Sequence, residues 1–305
     1  LAAFAQALIA AVGLGGPPEH DPLAGLSARH KAALVVVSGL PAPRGVAGVL
    51  VQGWSRGLPR PRSALVFVDQ EGADVRAFGE LPPGSWPSAY RTRKEARRAG
   101  RATARGLRRA GVDVDLAPVL DLAGGPLGSR HFDRPELGLA FARGLAAGGL
   151  AGCVKHFPGL GTAPVSTDDE PHVDARLVRK ELAAFRTAIR AGVPCVMTSH
   201  AFYRRLGPGR ALASPKTYRM LGRMGFEGVA ITDSLSIVRT GSWSRRWARA
   251  AIRAGADLVL FTSGEHARRA IKALVPSARR GLLDEHVRRV LALREAAGLP
   301  PPRRW

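Results

Sequence analysis

Cysteine is nearly absent: Cys153 and Cys195 are the only two in 305 residues. Both lie inside apolar runs, so they read as buried free thiols, with nothing to support a disulfide or a metal cluster. Acidic residues are also scarce. Twenty-four Asp and Glu face 46 Lys and Arg, a formal charge of +22. Long hydrophobic runs are missing too. The opening stretch from Leu1 to Val12 is too short to span a bilayer comfortably and is interrupted by Gln6, and no later segment reads as transmembrane. Residues 1–25 are therefore expected to be an apolar leader or linker, either the end of an export signal or an ordinary first helix. Residues 300–305 read as a short basic tail.

What is present is arginine, scattered along the whole chain. Only the 94–109 region is dense, and its spacing suits the solvated face of a helix. Dispersed cations without a clustered basic face argue against nucleic-acid binding. A basic protein is still drawn to anionic surfaces, for which acidic cell-wall polymers are one class.

From residue 32 onward, apolar runs of strand length alternate with Arg/Ala-rich stretches of helical period. Strands are expected at 33–38, 48–52, 64–69, 112–117, 151–155, 193–199, 228–233 and 257–261. Helices are expected at 92–111, 136–149, 174–192, 216–224 and 244–255, several ending in Ala-Gly just before the next strand. Continuous apolar strands separated by helices imply a parallel sheet covered on both faces. About eight of them on this length favour an α/β fold of the (β/α)8 TIM-like barrel type over 26–299. The gap between Ser38 and Gly48 is too short for a helix, so the barrel is expected to be irregular in its early strands.

Barrel chemistry sits at the C-terminal ends of the strands. Those ends carry Asp69-Gln70-Glu71-Gly72, Pro118-Val119-Leu120-Asp121, Lys155-His156, Thr198-Ser199-His200 and Thr232-Asp233-Ser234. The stretch Lys155-His156-Phe157-Pro158-Gly159-Leu160-Gly161 places two ionisable groups where a buried strand gives way to a loop shaped by Pro and Gly. Structural ion pairs or helix caps explain any one of these ends, but not all five together.

These segments, with Gly128-Ser129-Arg130-His131-Phe132, Gly225 to Leu235 and Ala254-Gly255-Ala256-Asp257, resemble glycoside hydrolase family 3, in particular its single-domain bacterial β-N-acetylhexosaminidases. The resemblance runs from about Leu26 to Ala297. It implies a retaining, exo-acting β-glycosidase without metal or organic cofactor, acting on β-N-acetylglucosaminides of cell-wall origin. The apolar opening stretch leans towards export, so an extracellular or cell-envelope location is expected, with a cytoplasmic one as the alternative. Asp233 matches the family nucleophile, which forms a glycosyl-enzyme ester. Asp69, Arg130, Lys155 and His156 match residues that hold the sugar. His200 matches a position near the nucleophile, as a structural histidine or a sugar contact.

The chain departs from that pattern twice. Where the family carries an Asp-Ser-His triplet with the acid/base histidine, this chain has Ser166-Thr167-Asp168, and Leu160 replaces the first loop histidine. Asp168 can take the role if burial or a neighbouring carboxylate raises its pKa. His172 can take it if the loop is shifted by four residues, and a merely solvated acidic turn is the third reading. The second departure is the family's arginine about eight residues after Asp69. That place falls on Ala77, with Arg76 as the possible substitute. A barrel that binds wall glycans without cleaving them is the rival reading.

Overall fold

The structure, a computed structural model, describes residues 21–236 and 243–300; the expected leader up to residue 20 and the tail from 301 lie outside the described residues. A short helix, α1 (Ala28–Ala33), is capped by the Ser27 side chain and leads into β1 (Val36–Gly39). β2 (Gly48–Leu50) and β3 (Leu65–Val68) follow without an intervening α-helix, as the short first crossover implied. A small antiparallel hairpin, β4 (Gln70–Gly72) and β5 (Val75–Arg76), then folds over the end of β3.

The remaining chain alternates regularly. α2 (Arg93–Arg109) leads to β6 (Val114–Asp115), α3 (Pro135–Ala147) to β7 (Ala151–Phe157), and α4 (Arg179–Arg190) to β8 (Cys195–Thr198). Then come α5 (Pro215–Arg223), β9 (Val229–Thr232), α6 (Trp243–Ala254), β10 (Val259–Phe261), α7 (Gly264–Arg279) and α8 (Asp284–Ala296). Eight parallel strands run in the order β10-β1-β2-β3-β6-β7-β8-β9. A bridge between Ile231 and Leu258 nearly closes the ring, giving the expected barrel.

The barrel is filled rather than hollow. Val37, Leu65, Phe67, Val114, Met197, Ile231 and Leu260 meet inside it. At its lower end Val290 and Leu293 of α8 join that cluster. There the buried Arg294 donates to the backbone oxygens of Ser63 (2.7 Å) and Ala47 (3.3 Å). On the outside, α2 and α3 pack at backbone contact. A Cβ on Gly100 would lie 2.2 Å from the carbonyl oxygen of Phe141, and one on Gly144 2.3 Å from that of Arg97.

Two expectations are corrected. Cys153 and Cys195 are not free thiols. They face each other in register across β7 and β8 and form a disulfide inside the barrel, with Cα atoms 4.4 Å apart. The helix expected from 174 begins only at Arg179. Residues 173–175 instead pair as an extended segment with Phe202, through hydrogen bonds of 2.8 Å in both directions. This buries Val173 and Ala175, which outweighs their helical propensity.

Candidate active site

A cavity of about 500 Å³ opens at the C-terminal ends of the strands. Leu50, Leu116, Met197 and Leu260, which also belong to the barrel core, line it, so it is blind at its base. Asp69, Arg130, Lys155, His156, Asp168 and Asp233 line it too. Six of the eight residues singled out in the sequence thus converge.

Lys155 ends the apolar run of β7 and is only 2% exposed. A lone buried ammonium is costly, and the fold compensates it with two carboxylates. Its Nζ lies 2.6 Å from Asp69 Oδ1 and 2.6 Å from Glu71 Oε1. Burial opposes the Lys155 charge, but Asp69 and Glu71 outweigh it and hold the ammonium above the ordinary lysine range. Glu71 also receives the fork of Arg130, through Nε and Nη2 at 2.8 Å each. Burial would raise Glu71, yet Lys155 and Arg130 together pull its pKa down to about 2.

The peptide between Lys155 and His156 is cis. His156 Nδ1 sits 2.7 Å from Asp121 Oδ2, and the backbone N–H groups of His156 and Leu160 donate to Asp121 Oδ1 at 3.1 and 2.7 Å. One carboxylate thus orients the histidine and fixes the loop that follows it. Behind that loop, Glu181 of α4 accepts from Gly161 N (2.7 Å) and Leu122 N (3.1 Å). Burial and the nearby Asp121 push the Glu181 carboxyl up to about 7.

Asp233 follows β9, and its backbone N–H donates to Thr198 at 3.0 Å. Ser234 N donates to its Oδ1 at 2.7 Å. Burial would raise its pKa, but His200, His156, that N–H group and Lys155 outweigh it and hold the carboxyl below its ordinary value. Asp168 shifts the other way. Protein around its carboxyl and the charge of Asp233 raise it, and His156, Arg130 and Lys155 offset this only in part. Asp168 is nonetheless exposed at the cavity mouth, on a turn in which its N–H meets Ser166 Oγ at 3.2 Å.

The two remaining candidates lie elsewhere. His172 does not line the cavity; it stacks on Phe202 with ring centroids 4.0 Å apart and lies 3.4 Å from Asp174. Arg210 holds this part of the loop by donating to the Pro171 carbonyl and covering the Phe202 ring. His200 is buried just behind the cavity and donates from Nε2 to the Ser234 carbonyl at 2.8 Å. Burial keeps its pKa down, which Asp233 only partly offsets. Through that hydrogen bond it supports the turn that carries Asp233.

Glu71 and Asp121 stand in the quoted strand-end motifs but were assigned no role from sequence. For Glu71 the signal was present, since Asp69 and Glu71 are two apart on an extended segment and so share a face. Arg76 does line the cavity, and Ala77, at the expected arginine place, is buried beside it. Among the described residues, no three His, Cys, Asp or Glu side chains are placed to hold a metal ion.

Comparison with known proteins identifies the family. The model of the glycosyl hydrolase family 3 N-terminal domain matches residues 56–293. A β-hexosaminidase of Stenotrophomonas maltophilia is 34% identical over 239 residues, covering 70% of this chain and 71% of that protein. The structure of a β-N-acetylhexosaminidase from Beutenbergia cavernae superposes with a TM-score of 0.75 at 26% identity, over 90% of this chain and 99% of that one. A family 3 β-N-acetylglucosaminidase from Paenibacillus gives 0.77 at 25% identity over 90% of this chain, which spans 63% of that longer protein. The chain belongs to glycoside hydrolase family 3 and is a β-glycoside hydrolase built on that family's N-terminal barrel.

Proposed function

We propose that this protein is a retaining exo-β-glycosidase that removes terminal β-linked N-acetylglucosamine or a closely related sugar through an ester on Asp233. The observation that carries this reading is a pair of aspartates on one cavity with pKa values pushed apart, Asp233 down and Asp168 up. The blind base of the cavity suits a chain end, and the sugar preference follows the hexosaminidase relatives.

In the first step an oxygen of ionised Asp233 attacks the anomeric carbon. Protonated Asp168 gives its proton to the glycosidic oxygen, whose bond to that carbon breaks. In the second step Asp168, now a carboxylate, takes a proton from water. The water oxygen attacks the same carbon and Asp233 leaves as carboxylate. Lys155 and Asp69 lie on the cavity wall, where they can donate to and accept from neighbouring hydroxyls, and Asp121 holds the His156 ring for the same purpose. The two reacting carboxyls are expected to stand about 5–5.5 Å apart with substrate bound.

A panel of nitrophenyl β-glycosides differing at the 2-position tests this, with Asp233→Asn as the blank. Turnover of the 2-acetamido sugar well above the blank is the expected result. Binding of glycans with no turnover above the blank would instead establish the rival reading, a barrel that holds wall glycans without cutting them. That reading draws its support from the absent loop histidine.

We also assign the protein to the cell envelope or exterior, where its partners include anionic wall polymers. The buried Cys153–Cys195 disulfide supports this, since such bonds persist mainly in oxidising compartments. Intact mass of the natively produced, denatured protein after alkylation should show no modified thiol without reductant and two with it. Two alkylated thiols before reduction would remove that support.

A further inference from the structure

The outer face of α2 carries Arg93, Lys94, Arg97, Arg98, Arg101, Arg105, Arg108 and Arg109, all exposed. The sequence alone reads this as an ordinary solvated face. The structure adds three facts. First, the ion pairs among the described residues leave all eight cations out; only Arg108 acts on a carboxylate, that of Asp113. Second, the helix's one acid, Glu95, is spent, its carboxylate accepting the N–H groups of Arg91 and Thr92 at 3.0 Å each. Third, the opposite face is fully used, because Gly100 and Gly144 bring α2 against α3 at backbone distance. Every long side chain of the helix except Leu107, Glu95 and Arg108 therefore ends in an uncompensated cation on the outer face.

Arg93, Arg97, Arg101 and Arg105 follow one another at four-residue steps. They form a row whose neighbours are about 5–6 Å apart, along a helix face of roughly 20 Å. A row of like charges at that spacing is mutually repulsive and is relieved by a partner that carries regularly repeated negative charge. Seven of the eight are arginines, whose forked guanidinium groups take two oxygens of one phosphate. α2 bears no exposed large apolar side chain that would enter a lipid bilayer. None of its residues lines the catalytic cavity, so a polymer lying along it leaves the mouth open.

We infer that the outer face of α2 is a docking surface for a linear phosphodiester polymer of the cell envelope, which holds the enzyme beside its glycan substrate. This rests on the envelope location proposed above, which the alkylation experiment tests separately.

The test measures binding of the full chain to fluorescent poly(glycerol phosphate) as a function of salt. The variant combines Arg97→Ser, Arg101→Ser and Arg105→Ser. Its control removes the same net charge elsewhere, with Arg186→Ser, Arg190→Ser and Arg223→Ser. The α2 variant should bind at least about tenfold more weakly, with the salt slope reduced by about two, as expected for three lost phosphate contacts. The control should stay close to wild type, and nitrophenyl glycoside turnover should be the same in all three proteins. Equal loss in variant and control would overturn the proposal, as would unchanged binding by the variant. A wild-type preference for anionic phospholipid vesicles, polyglutamate or single-stranded DNA at equal charge concentration would also overturn it. Absent turnover in all three proteins would count against the glycosidase reading alone and leave the binding result standing.

Discussion

Replacing Asp233 with Asn is expected to lower kcat on every β-glycoside by at least about 10⁴-fold, because the amide cannot form the ester and the residual rate comes only from binding. Replacing Asp168 with Asn should behave differently. Loss of a positioned proton donor costs roughly 10²–10⁴-fold, and the cost should shrink for a leaving group that departs without protonation, such as dinitrophenolate. Azide should restore turnover to the Asp168 variant, attacking the ester without needing a base, and should do nothing for Asp233→Asn. The pH profile separates the two roles again. Activity should fall on the acid side as Asp233, held low, is protonated, and on the alkaline side as Asp168, held high, loses its proton. Asp168→Asn should erase the alkaline limb and keep the acid one. If both variants respond alike to leaving group and azide, the assignment of roles is wrong.

The second large effect concerns the charges that hold the cavity in shape. Glu71 has its pKa lowered from an ordinary 4.5 to about 2 in the folded chain. Its contribution is therefore present above pH 4.5 and lost as pH falls towards 2, a change of about 3 kcal/mol. Glu181 runs in the opposite sense, being raised from 4.5 to about 7. Its contribution is full below pH 4.5 and is lost as pH rises through 7, again by about 3 kcal/mol. Chemical denaturation from pH 3 to pH 8 should show both slopes. Glu181→Gln should flatten the alkaline one, because the amide cannot ionise yet still offers an oxygen to Gly161 and Leu122. Glu71→Ala should destabilise the protein by about 3–5 kcal/mol at neutral pH, since it strands Arg130 and leaves Lys155 with Asp69 alone. A Glu71→Ala protein as stable as wild type would show that this ion cluster does not support the fold.

Much of this architecture is written locally in the chain. Strands such as 228–233 and 151–155 are apolar runs ended by ionisable groups, and a barrel brings strand ends together whatever the lengths of the helices between them. That is why Asp69, Lys155, His156 and Asp233 could be placed from sequence, and why the helix-free passage from Ser38 to Gly48 could be anticipated.

What escaped depends on pairings between distant segments. Cys153 and Cys195 sit in apolar runs that look the same whether their thiols are free or joined; only the register of β7 on β8 sets them opposite each other. His172 and Asp168 are four residues apart in one polar loop, and sequence leaves both open as proton donors. Phe202 and Arg210, thirty or more residues further on, draw His172 out to the rim while Asp168 stays on the cavity. The late start of α4 has the same origin, since the extended 173–175 segment exists only through its partner Phe202.

The central claim is that Asp233 carries the sugar. Incubating the protein with a 2-fluoro β-glycosyl fluoride, or a 5-fluoro analogue where the 2-acetamido group must be kept, traps the ester. The intact mass should then rise by one fluoroglycosyl unit per chain, and peptide mapping should place that unit on Asp233, with no labelling of Asp233→Asn. A label on any other residue, or an unlabelled protein that still turns over nitrophenyl glycosides, would contradict the account.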